Sequence, residues 1–173
     1  MAKITIFGMA GTGTTTAGKA LAERLSYGFE SSGNMFRAKA KELEMSLQEL
    51  EEASKHNSKY DIDLDKKVEE YGKTHDNFVF ESRLAWHFIP DSFKVELKCD
   101  LDERIRRIAK REEKDFEKAL EETKFREDTI LHRYEKYYGL RDIMSESNFD
   151  LVIDTTNTGV EGVVEKIIEA IKK

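Results

Sequence analysis

Residues 8 to 15 read Gly-Met-Ala-Gly-Thr-Gly-Thr-Thr, a spacing of glycines and hydroxyls that can grip a phosphate. It matches the Gly-x-x-x-x-Gly-Lys-[Ser/Thr] pattern except that Thr14 stands where the lysine belongs. A polyphosphate needs many donors brought close with no side chains in the way. Gly8, Gly11 and Gly13 can adopt backbone angles closed to other residues, so successive N–H groups turn inward. A helix beginning near Thr15 points its positive end at the same anion. Thr12 and Thr14 complete the loop, Thr15 offers a hydroxyl to Mg²⁺, and Thr16 is placed for another phosphate contact. The missing lysine removes a cation beside the β- and γ-phosphates. Losing one such preorganised donor costs on the order of 3 kcal/mol, about a hundredfold in rate. Binding should therefore survive better than turnover. Lys19 is the nearest base along the chain, but it lies more than one helical turn away.

These residues need elements to hold them. Strand-like runs are expected at Ile4 to Phe7, Gly28 to Ser31, Asn77 to Phe80, Lys94 to Lys98 and Leu151 to Asp154. Helical stretches alternate with them, the pattern of a parallel sheet covered on both faces. Asn34 to Leu43 reads as helix. Ser46 and Glu49 have capping-box spacing, Leu64, Val68 and Tyr71 mark one helical face, and Val160 to Ile171 carries an apolar stripe. Asp61, Asp63 and Asp65 are read as coming before the Leu64 helix, at its start.

A chain of 173 residues with 39% hydrophobic content and a single proline suits one helix-rich domain spanning residues 1–173. A net charge of −6 argues against a general nucleic-acid binder. No apolar run approaches membrane-spanning length, so a cytoplasmic monomer is expected. Cys99, the single cysteine, cannot form an intramolecular disulfide and is read as a buried side chain at a strand end.

Taken together, the glycine loop, Ser31 to Arg37, Phe80 to Ala85, the basic region Arg104 to Arg133 and the closing Asp154-Thr155 resemble the nucleoside monophosphate kinases, most of all the archaeal-type cytidylate kinases. The resemblance implies a P-loop fold with a five-stranded parallel sheet and helices on both faces. It also implies a helical acceptor-binding segment at about residues 32–75 and a lid at about 104–138. Its reaction would move the γ-phosphoryl group of ATP, with Mg²⁺, to a nucleoside monophosphate, CMP or dCMP.

Carried onto this chain, Ser32, Gly33, Arg37 and Arg83 are the candidates for binding the acceptor nucleotide. Glu81 joins Thr15 as a candidate Mg²⁺ ligand, or else pairs with Arg83. Asp63 is the preferred reader of a cytosine amino group, although all three aspartates also suit helix capping. Arg107, Arg111, Arg126 and Arg133 are the lid arginines expected to stabilise transferring charge, or alternatively members of surface ion pairs. Thr155 to Thr158 would touch the donor's adenine or cap the last helix. Trp86, His87 and Phe88 read as core or substrate-wall packing. Two other readings remain: a nucleotide-binding protein that has lost useful catalysis with the lysine, and a kinase for another nucleotide or a small metabolite.

Overall fold

The computed structural model describes residues 2–172. Five strands, β1 (Lys3–Gly8), β2 (Gly28–Ser31), β3 (Phe78–Glu81), β4 (Phe93–Lys98) and β5 (Leu151–Asp154), form one parallel sheet in the order β2-β3-β1-β4-β5. Parallel strands need crossover connections, and helices supply them: α1 (Thr14–Leu25), α2 (Ser32–Glu42), α3 (Leu47–His56), α4 (Lys59–Thr74), the short α5 (Ala85–Phe88), α6 (Leu101–Glu112), α7 (Phe116–Tyr138) and α8 (Val160–Ile171). The expected α/β layer structure is thus observed. No helix among the described residues is long and apolar enough to cross a membrane.

Alternation along β1 builds two cores at once, because successive side chains leave a strand on opposite faces. Ile4 and Ile6 join Leu21 of α1, Val79, Val95 and the α8 stripe of Val163, Val164 and Ile167. Phe7 goes the other way, with Met9, Leu84, Trp86 and Ile143. Each fully buried Ile, Val or Phe contributes about 1.5–3 kcal/mol, so the strand that ends at the glycine loop is among the best anchored. A third cluster of Ile105, Ile108, Ala109 and Ala119 pairs α6 with α7. The chain reverses between them at Glu113, which is left-handed (φ 53°), and Asp115 caps α7 by accepting from Lys118 N at 2.9 Å.

Three sequence expectations are corrected here. Asn77 lies outside β3: it adopts φ 55°, a conformation Asn tolerates, and the strand runs one residue further, to Glu81. The aspartates do not precede a helix, because α4 begins at Lys59 and all three lie within it. Cys99 is half-exposed in the segment after β4 rather than buried in the strand. The Ser46 helix start is as expected: Ser46 Oγ accepts from Glu49 N at 3.2 Å and Glu49 Oε2 accepts from Ser46 N at 2.7 Å.

Candidate active site

Strand register brings the chemistry to one sheet edge. Ile6 pairs with Glu81, and Glu81 pairs with Ser31, so the phosphate loop, Glu81 and the start of α2 all emerge at the carboxyl ends of neighbouring strands. Open α/β sheets bind ligands at this edge.

The loop itself is held from within and from above. Gly11 and Gly13 take φ 86° and 89°, and Gly13 is the N-cap of α1, which has no side-chain cap and no acid in its first turn. Its amides are therefore left for an anion. Thr12 is buried and donates its hydroxyl to Met9 O at 2.8 Å, while Thr155 donates to Thr12 O at 2.9 Å. These two threonines shape the loop rather than offering hydroxyls outward. Thr15 and Thr16 are exposed on the first turn.

Thr14 has a different occupation from the lysine it replaces. Its Oγ1 donates to Glu81 Oε1 at 3.1 Å, and Thr15 Oγ1 donates to Glu81 Oε2 at 3.0 Å. Its methyl lies against Gly8, where an added Cβ would come within 2.6 Å of it. Glu81 is thus held by two hydroxyls, not by Arg83. Lys19 does not fill the vacancy left by the lysine: its ammonium rests 5.9 Å above the Phe29 ring.

Helix α6 closes over the loop so tightly that a Cβ on Gly11 would stand 2.7 Å from Arg104 O. Arg104, which was not among the sequence candidates, donates to Ala10 O at 3.1 Å and to Glu127 Oε1 of α7 at 2.6 Å. Its spacing of three residues from Arg107 was the available signal, since it puts both on one helical face. Arg107 bridges the loop and the segment after β5, with Nη1 3.4 Å from Gly11 O and Nη2 2.9 Å from Thr155 O. Arg111 and Arg126 lie further out, exposed, in ion pairs with Glu112 and Glu122. Surface pairs of this kind contribute little to stability.

On the acceptor side, Ser31 caps α2 by accepting from Asn34 N at 3.0 Å, which sets Ser32 and Gly33 at its open end. Arg37 folds back over Gly33 and donates to Asn34 Oδ1 at 2.6 Å. Arg83 is pinned through its backbone, whose carbonyl accepts from Trp86 Nε1 at 3.0 Å, yet its own Nε is buried without a partner. Trp86 therefore packs as core and positions Arg83; His87 is exposed.

Arg133 is not at the hairpin tip with Arg111 and Arg126. It faces Asp61 of α4, Nη1 to Oδ2 at 2.9 Å. Tyr138 of α7 donates its hydroxyl to Asp65. Burial pushes the Asp65 carboxyl up to about 6 despite that hydrogen bond, with the Asp61 charge adding to the rise. Burial likewise raises Asp61, opposed by Arg133. Asp61 and Asp65 are four residues apart and share a face; Asp63, between them, turns away from it.

Residues 3–157 match the cytidylate kinase-like family model. A cytidylate kinase of Methanobrevibacter smithii is 38% identical over 169 residues, covering 98% of both chains. One of Methanosarcina barkeri is 39% identical, over 88% of this chain and 87% of that one. Among solved structures, the shikimate kinase of Bacteroides thetaiotaomicron superposes with a TM-score of 0.68 at 16% identity over 99% of both chains, a likeness of fold. With a phosphate loop at the centre of such a sheet and relatives of this identity over most of its length, the chain belongs to the cytidylate kinase-like family of nucleoside monophosphate kinases.

Proposed function

We propose that the protein transfers the γ-phosphoryl group of ATP to CMP or dCMP with Mg²⁺. The observation that carries the reading is the Thr14–Glu81–Thr15 arrangement at the uncapped end of α1. It sets a carboxylate and a hydroxyl side by side where backbone amides can hold a polyphosphate. Thr15 and Glu81 are hard oxygen ligands of the type Mg²⁺ takes, its other positions being left to water and phosphate. When bound there, the ion would neutralise charge on the β- and γ-phosphates.

This chain's own groups do the rest. The loop amides orient the donor, and Thr14 keeps Glu81 aimed instead of touching phosphate. Arg37 and Arg83 bind the acceptor phosphate, for which the partnerless Arg83 Nε is suited. Arg107 steadies the donor side, and closure of the α6–α7 hairpin would bring Arg111 and Arg126 towards the transferring group. An acceptor phosphate is already ionised, so positioning and electrostatics suffice without a general base.

Product formation from ATP and Mg²⁺ against CMP, dCMP, UMP, AMP and GMP tests this reading. Turnover of CMP or dCMP is expected, with Glu81→Gln slower by about 10²–10³ and needing more Mg²⁺. Absence of product with every acceptor, or an unimpaired Glu81→Gln, overturns it. The absent lysine favours a second reading, a nucleotide binder of kinase fold. Tight ATP binding without product, and activity gained in Thr14→Lys, would establish that reading instead.

A further inference from the structure

Glu96 of β4 holds a charge in a costly place. It is 2% exposed, and its Oε2 is buried without a hydrogen-bond partner. A buried carboxylate oxygen left in that state calls for a reason in the surrounding structure. Lys98 does not supply one. Its ammonium stands 3.7 Å from Glu96 Oε2, beyond hydrogen-bonding reach, and donates instead to Glu146 Oε1 at 2.7 Å. Burial raises the Glu96 carboxyl from its ordinary value, Lys98 opposes the rise, and the charges of Glu146 and Asp142 add to it.

Glu96 also stands in the wall of a cavity of about 400 Å³, a size that takes a small organic ligand. Strand register explains the wall. Phe7 pairs with Glu96 and Lys98 with Asp154, and alternation along the strands turns all four to one face of the sheet. Met9 and Met144 extend its apolar part, and Met144 is left 42% exposed. Both cations in the wall are already engaged, Lys98 by Glu146 and Arg104 by Glu127. The charge left over is negative, on Glu96 and Asp154. Among the described residues no group of three acidic, His or Cys side chains is placed to hold a metal ion, so the wall suits an organic cation instead. The cavity borders the phosphate loop at Met9 and Thr12, not at the Gly13 to Thr16 turn where α1 begins.

We propose that this cavity binds a small organic cation, a primary ammonium on an apolar body, with the ammonium donating to Glu96 Oε2 and the body resting against Phe7, Met9 and Met144. The Lys98 stem is flexible, 40% exposed and drawn towards Glu146, so it is the part of the wall that swings aside to open Oε2 to the ligand. Thioethers adapt to the shape of what they meet, which suits Met9 and Met144 to the apolar body. This binding does not depend on which nucleotide the phosphate site takes.

Benzylamine is the probe and benzyl alcohol its neutral counterpart, each titrated into the full chain near neutral pH and followed by backbone amide NMR shifts. Benzylamine should bind saturably and about 10-fold or more tightly than benzyl alcohol, because hydrogen bonds between charged groups are the stronger ones. Its shifts should centre on Met9, Lys98, Cys99 and Met144 rather than on Gly13 to Thr16. Glu96→Gln keeps the shape, removes the charge and should erase the difference between the probes. Met144→Trp, at an exposed position, fills the cavity and should weaken both, so the test stands even where Glu96→Gln folds poorly. Absence of saturable binding would mean that water alone meets the carboxylate, and it overturns the inference. Equal affinity for the two probes overturns it too, as does a preference for benzylamine that survives Glu96→Gln, unchanged binding in Met144→Trp, or shifts centred on Gly13 to Thr16.

Discussion

Gly11 and Gly13 allow the contact between the phosphate loop and α6 to be measured, because they share a backbone conformation and differ in surroundings. Both are left-handed, at φ 86° and 89°, so an alanine at either bears about 1–2 kcal/mol of backbone strain. At Gly13 the new methyl meets nothing within 4 Å. At Gly11 it would stand 2.7 Å from Arg104 O, a backbone atom that no rotamer change can move away. Loop and helix must separate by about 0.7 Å to reach ordinary contact, and overpacking of that kind costs about 1–3 kcal/mol more. The totals are about 2–5 kcal/mol for Gly11→Ala and about 1–2 kcal/mol for Gly13→Ala. For a chain of this size each kcal/mol lowers Tm by roughly 2–4 °C. Thermal unfolding followed by circular dichroism without nucleotide should place Gly11→Ala about 10 °C below the parent and Gly13→Ala about 4 °C below. Because no ligand is present, effects on phosphate binding do not enter. Equal shifts, or a larger loss at Gly13, would refute the claim that α6 rests on the loop backbone.

The Arg104–Glu127 pair joins α6 to α7 with side chains only 10% and 14% exposed, so Arg104→Met should cost about 3–5 kcal/mol by stranding Glu127. The double variant with Glu127→Leu should recover much of that loss in a urea-denaturation cycle; additive losses would show that the pair is not coupled. Asp65 gives a pH signature. Its carboxyl is raised from 3.8 to about 6 in the fold, so the native state binds the extra proton and stability falls as pH rises through that window. The full loss is about 3 kcal/mol. Asp65→Asn should therefore lose less stability than the parent between pH 4 and pH 7, and parallel Tm curves would contradict the buried carboxyl. Ser46→Ala removes half of a capping box and should lower stability by about 1 kcal/mol, read as a Tm drop of roughly 3 °C.

The parts of this molecule visible in its sequence are those governed by neighbours in the chain. The glycine spacing marks a loop because Gly11 and Gly13 take positive φ, a freedom local to the backbone, and that loop follows a β-branched run whose alternation is visible without a partner strand. The Ser46 capping box and the α8 stripe are legible for the same reason, since three- and four-residue spacings lie within one helix. Family resemblance adds the acceptor and lid segments as expectations, which periodicity and spacing do not supply. Boundaries were less secure where a single residue accommodates the turn, as left-handed Asn77 does before β3.

Long-range partners are another matter. That Thr14 turns its hydroxyl to Glu81, 67 residues away, depends on the β1–β3 register and on the methyl seated against Gly8. That Arg104 touches the loop, while Arg111 and Arg126 pair with glutamates at the hairpin end, depends on how α6 packs over Gly11. In sequence these arginines form one undifferentiated basic run. That Asp61 and Asp65, and not Asp63, meet Arg133 and Tyr138 of α7 turns on where α4 begins and which of its faces packs there. The amino-acid order alone determined a phosphate loop on a parallel sheet and the residue types around it, because local conformation and periodicity decide those. Only the tertiary structure decided which carboxylate meets which hydroxyl or guanidinium, because those contacts exist only after distant strands and helices have been packed into register.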